Sequence, residues 1–124
     1  MLKLSQTGAM EVDMKIIFST DTISENDEKI ILISIVGILQ AIKNDKLSID
    51  EAEKFLFSPY MVGKLRIKKC NESIIDIIER GCELEDIVSL IPDKLSTAIN
   101  ELENMTLDLM KNYENFDKNF WIEK

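Results

Sequence analysis

The sequence predicts a mainly α-helical single domain, a compact bundle of two long helices and several short ones with a possible short strand or hairpin at its front. Three observations lead there. Glycine and proline number four and two in 124 residues, too few for the many turns of an all-β sandwich. Apolar residues make up 45% of the chain and recur at helical spacing through most of it. Serine or asparagine stands just before several of those stretches, where its side chain can accept a hydrogen bond from an unpaired helix N–H.

Taken in order, residues 1–20 read as strand-like or as a frayed extension. Val12, Met14, Ile16 and Phe18 alternate with Asp13, Lys15 and Ile17, which predicts a strand over 12–18; Leu2-Lys3-Leu4 could pair with it. Ser24 caps a long helix from 25 to about 44, and the acids that follow it suit the positive end of the helix dipole. This helix is apolar on nearly every side, which predicts the central position in a bundle. Gly37 inside it predicts close approach of a neighbouring helix. Its run Ile30–Ile42 is interrupted by Ser34, Gly37 and Gln40 and is shorter than the roughly 18–20 apolar residues that span a bilayer.

Ser48 and Glu51 form a capping box opening a short helix that turns Ala52, Phe55 and Leu56 inward. Ser58-Pro59 restarts the chain, with proline suited to the first helical position, and places Tyr60, Met61, Val62 and Leu65 in another. Asn71 caps a helix carrying Ile74, Ile75, Ile77 and Ile78, with Gly81 expected as a left-handed C-cap. Glu83–Ile87 begins one or two turns that close before Pro92. The last long helix covers about 93–113, with Leu95, Leu102 and Leu109 spaced by sevens beside Ala98, Ile99 and Met105. Residues 113–124 form an aromatic tail.

The chain lacks histidine altogether. That removes the side chain that titrates near neutrality and the commonest metal ligand, and with them Ser-His and Cys-His nucleophiles and His-based zinc sites. Phosphate-cradling glycine loops and the G-x-S-x-G elbow are missing too. No catalytic, cofactor-binding or metal-binding residue is assigned, and the chain is read as a non-enzyme. Cys70 and Cys82 form no C-x-x-C pair and read as small apolar residues in a reducing compartment. Without a recognisable signal peptide, the expected location is the cytoplasm.

Net charge is −8. Nucleic-acid binding depends on neutralising phosphates with cations, so neither nucleic acid nor an anionic membrane is expected as partner; a basic protein is. Glu79, Glu83, Glu85 and Asp86 are the densest carboxylate set. They read either as solvated helix-end charge or as a docking patch. Asp21, Glu25, Asp27 and Glu28 divide the same way, with the structural reading favoured. Lys64, Arg66, Lys68 and Lys69 read as a solvated face with salt bridges. Tyr113, Phe116, Phe120 and Trp121 hold half of the aromatics. They either seal the bundle against residues 1–20 or, with Trp121 exposed, anchor an interface.

Glu51-Ala52-Glu53-Lys54-Phe55-Leu56-Phe57-Ser58-Pro59-Tyr60 and Cys82-Glu83-Leu84-Glu85-Asp86-Ile87-Val88-Ser89-Leu90-Ile91-Pro92 resemble an uncharacterised family of short bacterial proteins, marked by E-A-E-x-x-L-F-S-P-Y and E-L-E-D-x-x-S-L-I-P. The resemblance covers about residues 25–112 and implies no activity. In size, acidity and helical content the chain also resembles the immunity partners of bacterial toxins, an analogy of style alone. The expectation is therefore a non-enzymatic protein-binding protein of a bacterial cytoplasm, such as an immunity-type neutraliser of a basic toxin, whose contacts are Glu79, Glu83, Glu85, Asp86 and Trp121. A self-associating homodimer is the alternative. A small enzyme working with carboxylates alone is a distant third.

Overall fold

The computed structural model describes residues 22–116; the strand expected at 12–18, together with Asp21, Phe120 and Trp121, lies outside the described residues. Among the described residues six α-helices follow one another: α1 Glu25–Lys43, α2 Ile49–Phe55, α3 Pro59–Ile67, α4 Glu72–Cys82, α5 Leu84–Leu90 and α6 Leu95–Met110, the last preceded by a 3-10 turn at Pro92–Lys94. No strand occurs among the described residues. The helical bundle expected from the sequence is the observed architecture.

Local chemistry explains where the first four helices begin. Ser24 Oγ accepts the Asp27 N–H at 3.1 Å while the Asp27 carboxylate accepts the Ser24 N–H at 3.4 Å. Ser48 and Glu51 repeat that reciprocal box at 3.0 and 3.1 Å. Ser58 accepts from the Met61 N–H with Pro59 opening α3, and Asn71 accepts from the Ser73 N–H at 2.7 Å. Each box or cap satisfies donors that the helix itself leaves unpaired.

The helix ends were less legible. α1 and α3 both close through Schellman motifs whose left-handed residue is not glycine. Asp45 has φ 60° and Lys69 has φ 62°. In the first, the Lys46 N–H reaches the Ala41 carbonyl and the Asp45 N–H the Ile42 carbonyl; in the second, the Cys70 N–H reaches Leu65 and the Lys69 N–H reaches Arg66. Gly81, expected as a left-handed cap, instead lies inside α4 without positive φ. Its role is packing: a Cβ there would stand 2.7 Å from the ring of buried Phe57.

α1 packs mainly on α6, α6 also covers α4 and α5, and α3 leans on α4. Leu32, Ile35, Leu39, Ile74, Ile75, Ile78 and Leu84 meet in the fully buried centre. At its far end α1 is clasped to α6 by Glu103, which accepts from Lys43 Nζ at 2.8 Å and from the Gln40 amide. Those two donors hold the Glu103 carboxyl below its ordinary range.

Two expectations about apolar residues need correction. Phe55 is 61% exposed rather than inward; Phe57 fills the core in its place, because the chain leaves the helix at Leu56. The described helices do not enclose α1 on all sides. Ile33 is 46% exposed, and a Cβ on Gly37 would meet nothing within 4 Å, so no neighbouring helix approaches it among the described residues.

Candidate partner-binding face

The start of α5 turns on one buried anchor. Leu84 is fully buried, so neighbouring positions of that short helix project outward: Glu85 and Asp86, then Val88, Ser89 and Leu90 one turn on. Val88, Leu90 and Ile91 remain exposed at 39%, 77% and 53%. Glu83 joins α4 to α5, and its side chain makes no capping hydrogen bond to α5. Acids thus border exposed apolar side chains on one short segment.

A second helix brings more charge to the same place. Buried Ala52 lets α2 lie against α5, and Glu53 of α2 meets Glu85. The adjacent Glu85 carboxyl raises the Glu53 pKa, chiefly because the two can share a hydrogen bond once one is protonated; partial burial and the charges of Glu85, Asp50 and Asp86 push it the same way. Asp50 is paired with Lys54 at 3.2 Å. No lysine or arginine among the described residues forms a salt bridge with Glu53, Glu83, Glu85 or Asp86. Like charges held close together repel, and a cation brought beside them relieves that repulsion.

The expected acidic set is therefore redrawn. Glu83, Glu85 and Asp86 share the α5 segment. Glu79 turns to Arg66 of α3, 3.6 Å away, and Arg66 also reaches Glu72. Glu53, which the sequence did not single out, joins through a tertiary contact between α2 and α5; no local spacing announces it. No group of three or more acids or cysteines among the described residues is placed to hold a metal ion.

The other singled-out groups serve the fold. Asp27 closes the first capping box. Glu28 is buried: one carboxylate oxygen accepts the Asn71 N–H at 2.8 Å and the other accepts the Tyr113 hydroxyl at 2.7 Å. Burial and the adjacent Glu28 carboxylate push the Tyr113 phenol well above its usual pKa. Phe116 lies under Lys29, whose Nζ is 4.9 Å from the ring centre and donates to the Glu114 carbonyl. The first half of the aromatic tail thus seals against α1.

Of the basic cluster, Arg66 is paired as described, Lys64 Nζ sits 5.5 Å from the Tyr60 ring centre, and the Lys68 carbonyl accepts the Ile23 N–H. Cys70 and Cys82 are free thiols. Burial, with Glu28 nearby, raises the Cys70 pKa to about 12, and burial raises that of Cys82. Both are poor nucleophiles in this setting. No helix among the described residues is long and apolar enough to cross a membrane.

Compared with protein-family models, residues 22–123 match one described as "Protein of unknown function (DUF3969)". The match extends past the 25–112 stretch on which the resemblance rested and takes in the aromatic tail. No curated protein and no solved structure matches the chain.

Proposed function

This chain belongs to that family of proteins of unknown function, so its role has to be argued from its own surface, and we propose that it is a non-enzymatic binding protein whose α2–α5 corner docks a basic protein. The observation that carries this reading is the carboxylate group Glu53, Glu83, Glu85 and Asp86, which no lysine or arginine among the described residues pairs, set against exposed Val88, Leu90 and Ile91. Protein interfaces combine an apolar centre with a polar rim. Here the rim carries one sign of charge, which steers a partner of the opposite sign and excludes its own kind. The partner that fits is a basic polypeptide with an apolar side chain set among its cations. A bacterial cytoplasm and neutralisation of a basic toxin form the biological setting we propose for it.

The test is retention of a partner from the source cell on the immobilised full chain, beside a Glu85→Lys/Asp86→Lys variant. At about 0.1 M salt charges act over about 10 Å, and at about 1 M over about 3 Å. The wild type is expected to retain a basic protein at the lower salt and release it at the higher, and the variant to retain none. Absence of any partner at low salt, or retention indifferent to both salt and charge reversal, refutes the proposal.

A further inference from the structure

Past the end of α6 the chain comes back to the start of α1. Lys111, Asn112 and Tyr113 turn it, their N–H groups donating to the carbonyls of Asp108, Leu109 and Met110 at 3.3, 3.0 and 3.0 Å. Side chains then fasten it. The Tyr113 hydroxyl donates to Glu28 at 2.7 Å and accepts from the Asn71 side-chain amide at 3.4 Å. Lys29 Nζ donates to the Glu114 carbonyl at 2.9 Å and lies 4.9 Å from the Phe116 ring centre. No residue in 111–116 is itself buried. A segment held by a few side-chain contacts, with little apolar burial of its own, opens far more readily than the core beside it.

The groups it meets are better covered. Glu28 is 9% exposed and Cys70 4%. Cys70 directly precedes Asn71, whose N–H donates to the other Glu28 oxygen at 2.8 Å. The Cys70 thiol is close enough to Glu28, and to the Tyr113 phenol, for their charges to bear on one another's ionisation. Thiol, carboxylate and phenol therefore share one place, and the phenol belongs to the returning segment. We propose that Tyr113–Phe116 is a strap that opens by itself while the bundle stays folded, and that each opening bares the free thiol of Cys70 to small electrophiles. Closed, burial keeps the thiol protonated and inert; open, water returns to it and the reactive thiolate becomes available. The strap shares no residue with the α2–α5 corner, so this inference and the docking proposal stand or fall separately.

Iodoacetamide on the full chain is the probe. The Cys70 thiolate forms an S–C bond, iodide leaves, and the thiol proton passes to the buffer. Peptide mass spectrometry reads Cys70 apart from half-buried Cys82, the internal reference. The Cys70 rate should be nearly flat at low urea, because a local opening exposes little surface, and should steepen only where global unfolding takes over. Tyr113→Phe removes the strap's hydrogen bond to a carboxylate and should speed Cys70 alkylation about tenfold relative to Cys82. Lys29→Ala removes the contacts to Glu114 and Phe116 and should speed it about threefold; it carries the test if Tyr113→Phe disturbs the fold. Ile42→Val, at the far end of α1, lowers the urea midpoint but should leave the low-urea rate within about twofold of wild type. Cys70 alkylation that follows the full urea slope of global unfolding overturns the proposal. So does acceleration by Ile42→Val equal to that by Tyr113→Phe, or a rate untouched by both strap substitutions.

Discussion

Gly81 and Gly63 undergo the same chemical change when replaced by alanine, and the structure gives the two replacements opposite signs. Alanine within a helix is ordinarily favoured over glycine by about 1 kcal/mol. At Gly63 the new methyl meets nothing within 4 Å, so Gly63→Ala should gain most of that amount. At Gly81 the methyl would stand 2.7 Å from Phe57 Cγ and 2.8 Å from Cδ1 and Cδ2. Carbon atoms rest about 3.5–4.0 Å apart, so the ring must retreat by about 1 Å. Phe57 is only 1% exposed and has packed neighbours behind it. Overpacking of this kind costs about 1–3 kcal/mol, which cancels or outweighs the helix gain. Gly81→Ala is therefore expected to lie about 1–3 kcal/mol below Gly63→Ala, a difference from which the shared helix propensity drops out. Urea unfolding followed by circular dichroism, at equal denaturant slope, measures it. In a Phe57→Leu background the penalty at position 81 should shrink, since the colliding ring is gone. Equal stabilisation by both alanines would refute the packing account of Gly81.

Other outcomes follow from single contacts. Tyr113→Phe removes the hydroxyl that satisfies buried Glu28 and should cost about 1–2 kcal/mol in thermal or urea unfolding; no loss would mean that the oxygen finds another partner at once. Lys69→Gly relieves a side chain held at φ 62° and should gain about 0.5–1 kcal/mol after the extra freedom of the unfolded glycine is subtracted. Glu53→Gln tests the paired carboxylates through pH. The native pKa is raised, so below the ordinary carboxylate range both states are protonated and the pair costs nothing, whereas the cost develops as pH rises through the raised native value. The variant should exceed wild type in melting temperature at pH 7 by less than about 1 kcal/mol equivalent, given the exposure of the site, and match it at about pH 3, below the carboxylate pKa. A gain confined to acid pH would reverse the sign and sink the argument.

Helix starts were legible in the sequence because capping acts over three residues: Ser24, Ser48 with Glu51, Ser58 with Pro59, and Asn71 all cap as their spacing implies. The stripe of α6 was legible for the same local reason, with Ile99 and Leu102 buried. Helix ends were not, since Asp45 and Lys69 occupy a conformation that composition assigns to glycine. The two misread glycines show the limit from another side. Whether Gly37 faces a neighbour or open space, and whether Gly81 turns the chain or admits a ring, depends on what arrives from elsewhere in the fold. Glu28, Asn71 and Tyr113 are far apart in sequence and meet only in three dimensions. Of the site, the acids of α5 were visible as a run. Glu53 was not, because its significance comes from α2 lying against α5.

The hub at Glu28 constrains when this protein can fold. Its carboxylate needs a phenol at position 113, and α1, the greasiest element, rests chiefly on α6. On the ribosome α1 emerges early and stays without its main cover until residues 95–113 have followed. Nascent α1 is thus a client for chaperones, and a fragment ending before Tyr113 would leave one oxygen of the buried Glu28 carboxylate without its hydroxyl partner.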